Sequence, residues 1–386
     1  MGCDLEKISS EAKARFAEIP FPHKKDEYWR FADLDAWGAD ALFPHFAEAA
    51  PKSSPSGKLL EIESRPAEEN RVMLFDGQVV AADISGGASA MRAADAAKLF
   101  PLETEKFYRG LGGKFSTIAA ARAQGGAAFV VPAGASAKFE LNIVSKLGLS
   151  VSSVLFILGE NSKLSLTRNF AANEKSFAVS AMKFVLAKNA SLELATFKYS
   201  AQSSRAYLRD GFDLSEGANI ADALAELGVS PSRTERDFEI LGGGASLDSR
   251  AFIKAGGEVA HDLRTSQMHR AGGSQSNLAV KAAAGGRARI AFTGLVRVEP
   301  EAQKTKAYQS CKSLSLSDEA KTQASPILEI MANDVECSHG CSVSKPDAEE
   351  VFYMNQRGLS EADALDMIAR GFAQNTFEKL GIEFEG

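Results

Sequence analysis

The stretch 156–164, FILGENSKL, returns as FVLAKNASL at 184–192 and again as FDLSEGANI at 212–220, so the three phenylalanines that open the copies are evenly spaced. Looser copies stand upstream at 129–136, FVVPAGAS, and downstream at 238–247, FEILGGGASL, at nearly the same interval. Each copy is a short apolar alternation, a small or polar turn, and a resumed apolar run. Successive side chains of an extended chain point to opposite faces, so the alternation is a strand pattern. A period of this length exceeds ordinary hairpin spacing and suits a solenoid, because a single rung cannot bury both its inward face and its edges without neighbours. The expected fold is mainly β, a parallel β-helix; an antiparallel sandwich with evenly spaced hairpins is the alternative. Gly272-Gly273 and Gly285-Gly286 read as further corner turns on either side of Leu278-Ala279-Val280.

Outside the echo the texture changes, and three regions are expected: a mostly helical region over 1–125, a β-helix core over 126–345, and a helical region over 346–386. In the first, Ser9-Ser10 can cap a helix over 11–18 that Pro20 stops. The segment 25–31, KDEYWRF, with Leu34 and Trp37, holds both tryptophans of the chain and reads as core or docking anchors. Residues 50–58, APKSSPSGK, form a Pro/Ser-rich loop, and 71–80, RVMLFDGQVV, a hairpin around Asp76-Gly77. In the last region Asp347 is an N-cap with Glu350 three positions on, Gly358 ends that helix, and Ser360 with Asp363 caps another. Leu365, Ile368 and Phe372 give the second helix one apolar face, and the apolar remainder of this helical pair is a docking surface for another protein.

The chemistry concentrates where the β pattern ends. After a polar stretch at 320–325, the strand Pro326-Ile327-Leu328-Glu329-Ile330 leads into 333–344, NDVECSHGCSVS. Odd positions there are Val335, Cys337, His339, Cys341 and Val343, so two thiols and an imidazole share one strand face. These donors suit zinc and iron–sulfur chemistry. The same pattern also suits plain core, since cysteine is among the most buried residue types.

Bulk properties narrow the classes. The chain has 386 residues, 45% of them hydrophobic, enough for a sizeable core. A net charge of −6 and a pI near 5.6 leave no electrostatic footprint for nucleic acid. Four cysteines, three of them between 311 and 341, do not make a secreted disulfide framework. Without an apolar run long enough to span a bilayer or an N-terminal signal pattern, a cytoplasmic location and no membrane partner are expected.

Together, DVECSHG (334–340), FYMNQRGLSEADA (352–364) and MIARGF (367–372) resemble the C-terminal signature of the SufB/SufD family of iron–sulfur assembly proteins. EYWRFADL (27–34) is similar to a Trp-containing motif near the start of the SufD branch, and the Cys-Ser-His-Gly run is SufD-like. The resemblance is strongest over about 265–380. It implies a right-handed parallel β-helix between helical ends. It also implies a non-catalytic scaffold for transient iron or an iron–sulfur cluster, paired through the β-helix with a SufB-like subunit or with itself. SufC, an ABC-type ATPase, would dock on the C-terminal helices around Phe352, Tyr353, Arg357 and Gly358. By the same resemblance His339 and Cys337 face the partner subunit. Cys341 stands where the family pattern usually has a small residue, which leaves open a variant site or a diverged, homodimeric paralogue; the sequence separately leaves flavin binding open. No G-x-x-x-x-G-K-[ST] loop is present, so any ATPase is borrowed. The competing reading is a zinc-dependent hydrolase using Cys337, His339 and Cys341.

Overall fold

Alternate strands of the chain join alternate sheets, and this winding makes the solenoid. The computed structural model describes residues 2–381 apart from 24, 33, 38–69, 83, 85, 86 and 147, so the loop expected at 50–58 lies outside the described residues. Among the described residues the first sheet has ten strands in the spatial order Glu336–Ser344, Lys306–Ser315, Gln275–Ala284, Ser246–Ala255, Asn219–Gly228, Ser191–Ser200, Lys163–Ala172, Ser136–Ser145, Arg71–Phe75 and Gln78–Ala82. The second has nine: Lys321–Ile330, Arg289–Val298, Ala260–His269, Ser232–Ile240, Arg205–Leu214, Ser176–Leu186, Gly148–Leu158, Ala127–Val131 and Ser89–Arg92. All pairings from Ala127 to Ser344 are parallel and in register, as the even echo requires.

The echoing phenylalanines are the visible reason for the register. Phe129, Phe156, Phe184, Phe212 and Phe238 are direct register partners from rung to rung. Their rings stack inside the solenoid with centroids 5.1, 4.5, 5.0 and 4.6 Å apart. A one-residue slip would turn the whole column outward, so the stack fixes the pairing as well as filling the core. The turn after each phenylalanine repeats too. Asn161 and Asn189 (both φ 56°) and Gly217 (φ 66°) occupy the same left-handed corner, which only Gly and short polar residues adopt readily.

Parity also sends charged residues inward. Arg168 shares its face with Leu164, Leu166 and Phe170, and it donates two hydrogen bonds to Asp210 (2.8 and 2.6 Å). Arg236 closes on Asp222, and Lys198 donates to Glu226 at 3.0 Å. These groups are essentially excluded from water. Each is tolerable there because it is paired.

The two ends of the solenoid differ. At the N-terminal end Gln78–Ala82 pairs antiparallel with Arg71–Phe75 across the Asp76-Gly77 turn, and Ser89–Arg92 pairs antiparallel with Ala127–Val131. Residues 71–82 and 89–92 therefore extend the sheets upstream of the boundary expected at 126, and they close the parallel stack. At the other end Lys321–Ile330 and Glu336–Ser344 each have a neighbour on one side only; no strand among the described residues covers their outer edges.

Helices cover the outer faces. The first runs over Leu5–Glu18, starting earlier than Glu11 because Asp4, not Ser9-Ser10, accepts the capping hydrogen bond from the Lys7 amide, and Leu5, Ile8 and Ala12 extend the buried face. Trp29 and Trp37 are anchors as expected: they pack with Phe115, and with Tyr207 and Phe177 on the second sheet. The Arg233 guanidinium lies 3.9 Å from the Trp29 ring centroid. On the first sheet, Ala369 and Ala373 of the helix Glu361–Ala373 bury against Phe252, Ala283 and Leu314, with Ile368 and Phe372 beside them.

Candidate functional site at the open rung

Cys337, His339 and Cys341 all lie on Glu336–Ser344, the last strand of the first sheet, and the register shows which way they face. Their partners on Lys306–Ser315 are Ala307, Gln309 and Cys311, all buried inside the solenoid. The three residues thus carry inward parity on a rung with nothing stacked above it. Positions that would be core one rung earlier are open: Cys337 is half-buried, while His339 and Cys341 are exposed. The face keeps the parity of a core strand but lies open to solvent.

The spacing limits what the face can hold. Cys337 and Cys341 are four positions apart on an extended strand, hence about 13 Å, and each is about 6.6 Å from His339 along the backbone. Among the described residues no group of three His, Cys, Asp or Glu side chains is placed to hold one metal ion. A single zinc bound by all three, as the hydrolase reading needs, does not fit this strand. His339 with one flanking thiol makes a partial donor set of the right softness, open to ligands from a second molecule. That reading also needs a general base, and Glu336, the nearest carboxylate along the strand, points to the opposite face, 3.0 Å from Lys306 and accepting a hydrogen bond from the Tyr308 hydroxyl.

Burial pushes the Cys337 and Cys341 thiols above their ordinary range, slightly offset by a backbone hydrogen bond to each. Below Cys341, Cys311 is pushed up to about 12, again chiefly by burial. Both rim thiols are held largely protonated until a cation or a base draws the proton away. Gln309, directly beneath His339, accepts from Gln267 (3.4 Å) and donates to the Gly294 carbonyl (3.2 Å), which gives the imidazole a fixed polar floor. Neither Gln309 nor the opposition of Cys311 and Cys341 was read from the sequence.

The surface expected to dock a partner lies next along the chain. The helix Ala348–Gln356, capped by Asp347, buries none of its side chains. Phe352 is 63% and Tyr353 58% exposed, both far above the norm for aromatics. Arg357 donates to the Tyr353 hydroxyl at 2.7 Å, with its guanidinium 5.0 Å from the ring centroid. Gly358, at φ 90°, turns the chain into the second helix.

A parallel β-solenoid with helical ends, closed at one end and bearing soft donors at the other, defines the class of protein. Residues 142–372 match the family model described as the SufBD core domain of SUF-system FeS cluster assembly, and the chain belongs to that family. It is 31% identical over 123 residues (32% of this chain, 26% of the relative) to a SufBD family iron–sulfur cluster assembly protein of Synechocystis sp.. Over 167 residues (43% of this chain, 40% of the relative) it is 30% identical to the iron–sulfur cluster assembly protein SufD of Escherichia coli. A second Synechocystis SufBD family protein is 28% identical over 223 residues, 58% of this chain and 43% of the relative. The matched stretches thus span less than half the length of these relatives. No helix among the described residues is long and apolar enough to cross a membrane.

Proposed function

We propose that the chain is a SufD-like, non-catalytic scaffold subunit of an ATP-driven SufBCD-type complex, and that its open rung is half of an iron–sulfur assembly site. One observation carries the reading: inward-parity Cys337, His339 and Cys341 are left uncovered at the only end of the solenoid, among the described residues, where both sheets stop at parallel edge strands. Unpaired strand edges favour pairing with another chain. The exposed Ile327, Ile330, Met331 and Val343 around them add apolar area to such a contact. A second subunit of similar shape, SufB-like or another copy, would cover the rung and complete the ligand set for iron in transit. His339 contributes a neutral nitrogen and Cys337 or Cys341 a thiolate, and protonation of either releases the metal. The exposed pair Phe352 and Tyr353, with Arg357 and the turn at Gly358, is proposed as the dock for a SufC-type ATPase.

The test is His339→Ala in the reconstituted complex. Folding and subunit binding are expected to be unchanged, and iron and acid-labile sulfide per complex to fall several-fold. A wild-type cluster yield removes His339 from the site.

A further inference from the structure

Cys311 and Cys341 are direct register partners on the last two strands of the first sheet. We propose that they form a reversible disulfide, a modification site that takes its oxidising equivalents from a low-molecular-weight disulfide and staples the terminal rung to the one beneath.

Neighbouring strands lie about 4.7–4.9 Å apart, inside the Cα separation of roughly 4.4–6.8 Å that a disulfide spans. Both side chains carry inward parity, in the column that runs from Ala251 through Val280 to Cys311 and Cys341. Their environments divide the work. Cys311 is 2% exposed and packed in the core, whereas Cys341 is exposed on an edge strand that no outer neighbour among the described residues holds in place. The edge strand can adjust to bring the sulfurs to bonding distance while the buried partner stays fixed. Cys337 cannot substitute, since it stands about 13 Å from Cys341 along the same strand.

The exposed thiol reacts first. Deprotonated Cys341 attacks one sulfur of the small disulfide and expels a small thiolate, which takes up the proton Cys341 lost. Deprotonated Cys311 then attacks the Cys341 sulfur of this mixed disulfide and expels the second small thiol. Two protein thiols have lost two electrons and two protons, and one small disulfide has become two thiols. The thiolate is the attacking form in each step, so the exchange is faster in alkali. Oxidation removes Cys341 from the face it shares with His339. That consequence rests on the assembly reading; the disulfide itself does not.

The experiment treats the full chain with oxidised glutathione at pH 8.5, alkylates the remaining thiols, and maps the peptides by mass. The expected result is a fall in alkylatable thiols from four to two, with a linked peptide pair containing Cys311 and Cys341, reversed by reductant. Cys337→Ser is expected to keep the link, and Cys311→Ser to stop at glutathione on Cys341. A wild-type chain that carries glutathione on Cys341 while Cys311 is alkylated, a chain that keeps four free thiols, or a Cys337–Cys341 or interchain link overturns the proposal. The readout needs no cluster, so a failure here and a failure of the His339→Ala test are separable.

Discussion

Replacing Phe184 by alanine should break the solenoid where its register is set. The ring is completely buried, stacked on Phe156 at 4.5 Å with planes 9° apart and on Phe212 at 5.0 Å and 5°. Truncation of a buried Phe to Ala costs about 3–5 kcal/mol once the residual cavity is included. Two lost ring contacts, worth roughly 0.5–1.5 kcal/mol each beyond area, put this site in the upper part of that range. In a stacked-repeat protein the loss falls on the nearest-neighbour interfaces on both sides of the rung, so it weakens coupling along the chain as well as local packing. Guanidinium unfolding should be followed by far-ultraviolet circular dichroism and by tryptophan fluorescence. Trp37 packs on Phe177, in the same strand as Phe184, so the fluorescence reports on that rung. The wild-type transitions by the two probes should coincide, and those of Phe184→Ala should shift to lower denaturant and separate. A variant within about 1 kcal/mol of wild type, with coincident transitions, would refute the claim that the phenylalanine column holds the stack.

Other expectations follow from single groups. Burial pushes His269 from its ordinary 6.5 down to about 4, its ring nitrogens hydrogen-bonded to the Ser274 and Ser276 hydroxyls. As pH falls through 6.5 the unfolded chain takes up a proton that the folded chain refuses until about 4, so stability present above 6.5 is lost across that window, by about 3 kcal/mol. His269→Gln should flatten this acid limb, and an unchanged slope of stability against pH between 6.5 and 4 would show that another group controls it. The double change Phe352→Ser and Tyr353→Ser should alter stability by no more than about 0.5 kcal/mol per site because both side chains face solvent. It should nevertheless abolish co-purification of the ATPase, and retention of the ATPase at wild-type stoichiometry would remove this helix from the docking surface.

The fold was legible because local and long-range signals coincide over residues 129–247. The same aromatic and the same left-handed corner return at nearly constant spacing, and constant spacing is what an in-register parallel stack makes of a sequence. Beyond that stretch the count drifts. Val280 is followed in its column by Cys311 and then by Cys341, wider steps than those between the phenylalanines, because the corner loops there are longer. Parity still revealed that Cys337, His339 and Cys341 share a face, but the drift hid what lay beneath each of them. The inward Arg168 was readable by parity alone; its partner Asp210, far along the chain, depends on which strands lie across the lumen. Arg233 stands at the opposite parity from Arg236 and Phe238 and receives Trp29 and Tyr28 from the N-terminal region, a contact that no periodicity announces. The openness of the final rung had no local signature either. The strand reads as core, and it stands at an end because no β repeat follows Ser344 among the described residues.

Whether this open rung becomes an interface is read out by amide hydrogen exchange on the chain alone and within the co-expressed complex. Amides of residues 321–344 should exchange at least tenfold more slowly in the complex, as unpaired edges acquire partners. Unchanged exchange over 321–344, with protection appearing elsewhere on the solenoid, would contradict it.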